Sequence, residues 1–152
     1  FVETLAETTR FNEDKKLKAL LFSVDVNDNK IILAKPTTLM NASGEAVSLI
    51  KNYYKLKANQ ILIVHDDLDL SLGKYKIQFD KGPKIHNGIL SIENRLGTSK
   101  FWRLRIGIDN RTLDEKKFMS GADYVLGKFR NEELIMVADL VQNLIKTLRE
   151  DF

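Results

Sequence analysis

Three aspartates follow a short apolar run in residues 61–69, which read Ile-Leu-Ile-Val-His-Asp-Asp-Leu-Asp. A continuous apolar run of this length predicts a strand that is buried on both faces, as in a parallel sheet covered by helices. Open α/β sheets bind their ligands at the carboxyl ends of such strands. We therefore expect Asp66, Asp67 and Asp69 to lie where this class of fold places its chemistry.

Asp66 is the candidate catalytic residue of this segment. Neighbouring side chains of an extended strand point to opposite faces, so His65 and Asp66 are not expected to form a pair. We predict that Asp66 faces a crevice and that His65 faces packing. A carboxylate at a strand end can orient a histidine and stabilise its imidazolium during general-base catalysis. The alternative is that Asp66 caps a loop.

Two asparagines in polar loops are candidates for substrate binding. Asn87 follows His86 before a short helix predicted at residues 88–96, which Gly97 is expected to end. Asn87 is either the N-cap of that helix or a substrate ligand. Asn41 follows Met40 in another polar loop. Two amides that converge from different loops can hold a polarised carbonyl and its attacking water. We interpret His86 as structural or RNA-facing rather than as a metal ligand.

The elements that must position these residues alternate between strands and helices. A hairpin turn is expected at Asn27-Asp28-Asn29, and residues 109–120 read as a polar connection. The pattern predicts an α/β fold, a three-layer α/β/α sandwich with a mixed, mostly parallel sheet, in one domain over residues 1–152. The 61–66 strand is expected inside that sheet. The predicted strands are 18–25, 30–34, 61–66, 74–79 and 101–108.

Charge is distributed unevenly along the 152 residues. The net charge is +3, yet residues 74–111 hold nine basic and three acidic side chains. A local basic excess is typical of a protein with a phosphate-rich partner, although a solvated face is an equal alternative. The absence of cysteine excludes a disulfide framework, and two histidines make a structural zinc site improbable. No apolar run approaches the ~18–20 residues that span a bilayer.

The order of several motifs along the chain resembles bacterial peptidyl-tRNA hydrolase. The resemblance covers essentially the whole sequence. The motifs are Lys-Pro-Thr-Thr-Leu-Met-Asn-Ala-Ser-Gly at 35–44, Ile-Leu-Ile-Val-His-Asp-Asp-Leu-Asp-Leu at 61–70, Gly73, His-Asn-Gly at 86–88, Phe-Trp-Arg-Leu-Arg-Ile-Gly-Ile at 101–108 and Tyr-Val-Leu-Gly-Lys-Phe at 124–129.

This resemblance implies a cytoplasmic, monomeric enzyme that hydrolyses the ester between a peptide and tRNA, and so recycles tRNA from aborted translation. It implies no metal, no cofactor, no membrane and no protein partner. The aspartate matching Asp66 holds the catalytic histidine of the family. Asn41 and Asn87 match residues that bind substrate and support the attacking water, and Met40 and His86 match residues that line the crevice.

The resemblance also implies that Arg105 grips a tRNA phosphate. Gln78 replaces the basic partner that the family carries on the preceding strand, so phosphate binding is expected to be shared by Lys76, Lys81 and Lys84.

The sequence departs from the family at its start. The opening strand of the family and the segment with its catalytic histidine have no counterpart, and neither His65 nor His86 matches that histidine. We therefore expect further residues before Phe1. We expect little activity from a chain that starts there, because neither of its histidines is placed to pair with Asp66. One alternative is a non-catalytic RNA-binding relative of the same fold. Another, a small nucleotide-binding α/β domain, is disfavoured because the sequence lacks glycine-rich phosphate-binding motifs.

Overall fold

The computed structural model describes residues 1–8, 10–26 and 29–151, which form two three-stranded sheets and six α-helices. The strands are β1 Asn12–Asp14, β2 Ala19–Val26, β3 Asn29–Pro36, β4 Leu62–Ser71, β5 Tyr75–Phe79 and β6 Trp102–Asp109. The helices are α1 Val2–Ala6, α2 Ser43–Tyr53, α3 Asn87–Leu96, α4 Leu113–Phe118, α5 Gly121–Val125 and α6 Asn131–Asp151.

The first sheet is antiparallel and has the order β1-β2-β3. The pairing of β2 with β3 runs from Ala19 opposite Pro36 to Val26 opposite Asn29, which supports the two predicted strands. The predicted turn itself falls on Asn27 and Asp28, outside the described residues. Strand β1 was not predicted, because its three residues are all polar and show no apolar alternation.

The second sheet positions the candidate site and has the order β4-β6-β5. Strand β4 pairs with β6 in parallel, and β5 pairs with β6 antiparallel, so the predicted α/β class with a mixed sheet is confirmed. Three expectations were wrong. Antiparallel pairs outnumber the single parallel pair of the described strands, and those strands form two sheets rather than one. Strand β4 lies at a sheet edge.

The burial pattern of β4 explains why its apolar run led to the wrong prediction of a strand inside the sheet. Leu62 is 42% exposed, whereas His65 and Asp67 are buried. The amino end of the strand is therefore exposed to solvent, and its buried face carries polar side chains. The strand does not have two apolar faces. Its position beside the parallel strand β6 nevertheless brings the carboxyl ends of both strands to one edge of the sheet.

Helix α2 packs against both sheets. Its Val47 belongs to a cluster with Ile89 and Ile92 of α3 and with Phe101, while its Ile50 packs with Leu17 and Ala19 beside the first sheet. The two helices approach closely at Gly44, whose N–H donates to Ser91 Oγ at 3.0 Å. A Cβ at Gly44 would lie 2.1 Å from the backbone oxygen of Ser91, so this crossing requires glycine.

The connection expected at residues 109–120 holds helix α4 instead, and α5 follows. Thr112 and Glu115 form a capping box at the start of α4, with the Thr112 N–H donating to Glu115 at 2.6 Å. The Thr-x-x-Glu spacing is the sequence signal that predicts such a start. The apolar stripe that usually predicts a helix is too short here to be recognised.

Candidate active site

The candidate site forms at the carboxyl end of β4, beside β6. In the parallel register His65 lies opposite Arg105, and Asp66 lies opposite Ile106. The loop that follows β5 returns to this edge and leads into α3. The segment 65–69 and the His-Asn-Gly motif are therefore adjacent, as the sequence interpretation required.

Asp66 is paired with a histidine. His86 Nε2 lies 3.1 Å from Asp66 Oδ1. This hydrogen bond holds the pKa of Asp66 below its usual range, although burial of the carboxyl opposes the shift. The prediction that neither histidine is placed to pair with Asp66 was wrong, because the loop after β5 folds back onto β4.

The second ring nitrogen of His86 caps helix α3. Its Nδ1 accepts the N–H of Ile89 at 3.1 Å, so His86 rather than Asn87 is the N-cap. A backbone N–H can only donate, so Nδ1 must carry a lone pair in this arrangement. The ring proton therefore lies on Nε2 and is donated to Asp66. Gly97 ends the helix in the left-handed conformation, as predicted.

His65 is buried, with 9% of its surface exposed. Its Nδ1 lies 2.6 Å from the backbone oxygen of Asp66, and its ring meets that of His86 edge-on. Burial lowers the pKa of His65, and the hydrogen bond to the Asp66 carbonyl opposes this shift only partly. His65 thus faces packing, as expected, but this packing is against the site itself.

The predicted substrate-binding residues lie around this pair at different distances. Met40 is 57% exposed and its sulfur packs against Gly88, where a Cβ would lie only 2.7 Å away. Asn87 is exposed in the first turn of α3, next to His86. Asn41 is exposed beside Met40 and lines a cleft of about 450 Å³ between α2 and α3, with Ser91, Asn94 and Arg95 among its neighbours. No contact of Asn41 or Asn87 with Asp66 is found among the described residues.

Arg105 does not present its charge to solvent. It is 7% exposed and donates from Nε to Asp67 Oδ2 at 2.6 Å and from Nη1 to Gln78 at 2.7 Å. A buried guanidinium that is neutralised by a carboxylate has little capacity to bind a phosphate. These contacts favour a structural role for Arg105, and its expected grip on a tRNA phosphate stays a prediction. Lys76, Lys81 and Lys84 are all exposed.

Sequence reasoning missed the partners of Arg105. Asp67 is 2% exposed, and Gln78 had been interpreted only as the loss of a basic residue. A signal was present on β6, where Arg103 and Arg105 alternate with the apolar residues Leu104 and Ile106. A charge in such a position is rarely buried without a partner of opposite sign.

Comparison with known proteins gives one consistent result. The family model for peptidyl-tRNA hydrolase matches residues 1–151. A peptidyl-tRNA hydrolase of Wolbachia pipientis wMel is 40% identical over 148 residues, which cover 97% of this chain and 78% of that protein. One from Pediococcus pentosaceus is 39% identical over 150 residues, covering 98% and 78%. The crystal structure of peptidyl-tRNA hydrolase from Acinetobacter baumannii matches with a TM-score of 0.81 at 28% identity, covering 99% of this chain and 76% of that one.

Proposed function

Because this chain belongs to the peptidyl-tRNA hydrolase family, we propose that the Asp66–His86 pair marks the centre at which it acts. The chain is a hydrolase that cleaves the ester bond between peptide and tRNA in peptidyl-tRNA. The function predicted from the sequence is thus confirmed, and the alternative of a non-catalytic RNA-binding relative is not favoured. The observation that carries the location of the centre is the 3.1 Å contact between His86 and Asp66.

Asp66 supplies a negative charge at neutral pH, since its pKa lies below the usual range. A carboxylate so placed stabilises the imidazolium that forms when a histidine takes a proton from water. One third of the Asp66 side chain is exposed, so a further group can approach it from solvent. These properties support Asp66 as the catalytic carboxylate.

His86 fits a positioning role better than the role of general base. A base needs a free lone pair directed at the attacking water. The only lone pair of the neutral ring accepts the Ile89 N–H, and the ring proton is donated to Asp66. His86 therefore fixes the orientation of Asp66. The general base is a group other than His86, and it approaches Asp66 from the exposed side of that carboxylate.

Asn87 and Asn41 are proposed to bind the substrate, with Met40 and His86 lining the crevice. The amide of Asn87 lies in the first turn of α3, where the helix presents the positive end of its dipole. This position suits a group that stabilises the developing oxyanion or holds the water. Asn41 is proposed to bind a more distant part of the substrate, because it lines the neighbouring cleft between α2 and α3.

The exposed lysines Lys76, Lys81 and Lys84 are proposed to contact tRNA phosphates. Two of them lie in the loop that precedes His86, so a bound phosphate would be held next to the reaction centre. Such contacts depend on charge rather than on base sequence.

We further propose that the protein acts as a monomer in the cytoplasm, without metal or cofactor and without a protein partner. Among the described residues, no helix is both long and apolar enough to cross a membrane.

The experiment that tests the function measures release of peptide from purified peptidyl-tRNA. We expect a full-length version of the protein to release a labelled peptide and leave intact, deacylated tRNA, while its Asp66→Asn variant binds the tRNA and releases little. Binding of peptidyl-tRNA without release by the unmodified protein would instead support the non-catalytic RNA-binding alternative.

A further inference from the structure

A series of hydrogen bonds joins β6 to the loop that carries His86. Arg105 Nε donates to Asp67 Oδ2 at 2.6 Å. The Oδ1 atom of Asp67 accepts the N–H of Asp69 at 2.8 Å. The Oδ2 atom of Asp69 in turn accepts the backbone N–H of Lys84 at 3.1 Å. Because Lys84 precedes His86 by two residues, this series ties the start of α3 to the sheet.

The sheet end of the series is rigidly enclosed. Asp67 is 2% and Arg105 7% exposed, and Gln78 accepts a second hydrogen bond from the guanidinium. Gly82 lies so close that a Cβ at this position would collide with the guanidinium, 2.4 Å from Nη1. The loop therefore packs directly on Arg105, in addition to its hydrogen bond to Asp69.

We infer that Arg105 and Asp69 are positioning residues that hold His86 against Asp66, an inference that rests on the function proposed for Asp66. The three carboxylates on β4 have different roles, which depend on their positions. Asp66 faces His86, whereas Asp67 and Asp69 fasten the loop that delivers His86. A reaction centre built partly on a loop needs such supporting contacts, since small displacements of catalytic groups reduce turnover strongly.

The contacts of Arg105 distinguish this role from phosphate binding. A residue that grips phosphate must turn its guanidinium to solvent, but Nε and Nη1 are already engaged and Nη2 lies 4.0 Å from Asp69. A lysine would preserve a phosphate contact as a point charge, yet it would not reproduce the fork that joins Asp67 to Gln78. Arg105→Lys therefore separates the two roles.

The test compares Asp69→Ala with Asp80→Asn as a matched control. Both substitutions remove one negative charge close to the same loop. Asp80 is exposed, and no side-chain hydrogen bond of it is found among the described residues. The side chain of Asp69 is 36% exposed, so its removal is compatible with folding, which thermal unfolding verifies. The readouts are kcat, KM, the salt dependence of tRNA binding and the NMR signals of the His86 ring.

We expect Asp69→Ala to lower kcat on the order of tenfold, with KM and salt dependence unchanged, because a displaced His86 no longer fixes Asp66. The His86 ring signals should shift in this variant but not in Asp80→Asn. Arg105→Lys should likewise lower kcat and shift the ring signals while leaving the salt dependence unchanged.

The inference is overturned if Asp69→Ala behaves like Asp80→Asn. It is also overturned if Asp69→Ala and Arg105→Lys change KM and the salt dependence but leave kcat and the His86 signals unchanged. An unmodified protein that cleaves no peptidyl-tRNA would contradict the proposed function instead. The His86 ring signals would still show whether Asp69 and Arg105 position that residue.

Discussion

The rings of His65 and His86 meet edge-on, with centroids 4.9 Å apart and an angle of 69° between their planes. His65 is bound through Nδ1 to the backbone of Asp66, and His86 is bound through Nε2 to its side chain. The two histidines therefore hydrogen-bond to the same aspartate, one to its backbone and the other to its side chain. The Nε2 atom of His65 is buried, with no hydrogen-bond partner among the described residues.

The burial of His65 predicts how the stability of the protein depends on pH. Burial lowers the pKa of His65 below its ordinary value of 6.5, so the unfolded chain binds a proton before the native protein does. The free energy of unfolding should therefore fall as the pH decreases below about 6.5. His65→Gln, which keeps a donor for the Asp66 carbonyl but does not titrate, should flatten this decline between about pH 7 and pH 5. Equal slopes for both proteins in chemical denaturation would contradict the assignment.

Asp66→Asn should abolish most turnover but preserve the fold. The amide keeps the shape of the side chain but lacks the charge that stabilises an imidazolium. We expect kcat to fall on the order of 10²-fold or more, with tRNA affinity unchanged. Single-turnover peptide release and a separate tRNA-binding assay measure the two quantities. A loss of affinity with normal kcat would place Asp66 in binding rather than in catalysis.

Two substitutions of His86 separate its positioning role from general-base catalysis. His86→Ala should cost about 1 kcal/mol of stability, because α3 loses its N-cap. His86→Asn should retain that stability, since asparagine is a favoured cap. If His86 only orients Asp66, both variants should keep turnover within roughly tenfold of the unmodified enzyme. Near-complete loss of turnover in the well-folded His86→Asn protein would show that His86 is the base.

The lysines of the loop before α3 should control the salt dependence of tRNA binding. Lys81→Ala and Lys84→Ala should each weaken binding and reduce the slope of log affinity against log salt by about one. The Lys84 substitution leaves its backbone N–H free to donate to Asp69, so the loop is retained. Binding titrations over a range of salt concentrations give the slopes. An unchanged slope would indicate that these lysines face solvent and do not contact tRNA phosphates.

Gly44→Ala should disturb both stability and activity. The new methyl group would lie 2.1 Å from the Ser91 carbonyl oxygen, so α2 and α3 must move apart. We expect a loss of about 1–3 kcal/mol, together with lower kcat because α3 carries His86. Gly97→Ala is the control, since its Cβ would meet nothing within 4 Å and the change strains only a left-handed residue. This control should lose stability without a comparable loss of kcat.

The sequence predicted local features of the fold better than its pairings. The apolar run before His65 predicted β4, and Gly97 predicted the end of α3. The edge position of β4 depends on strands distant in sequence, which no local pattern reports. The same holds for the site. Asp66 was identified from its place after a strand, but its contact with His86 bridges 20 residues.

Arg105 shows most clearly which features of the site the sequence alone could not predict. The family resemblance suggested a phosphate ligand at this position, which would require an exposed guanidinium. Its burial depends on Asp67, 38 residues earlier, and on Gln78 from a third segment. Only the pairing of three strands brings these side chains together, so composition alone could not distinguish a structural arginine from an RNA-binding one.

The parallel pairing of β4 with β6 has a consequence for the order of folding. Contacts between segments far apart in sequence form only after the entropy cost of closing the intervening loop has been met. We therefore expect the Arg105–Asp67 contact, which spans 38 residues, to form later than the hairpin of β2 and β3. During translation the contacts of Arg105 with Asp67 and with the loop at Gly82 cannot form until β6 has left the ribosome.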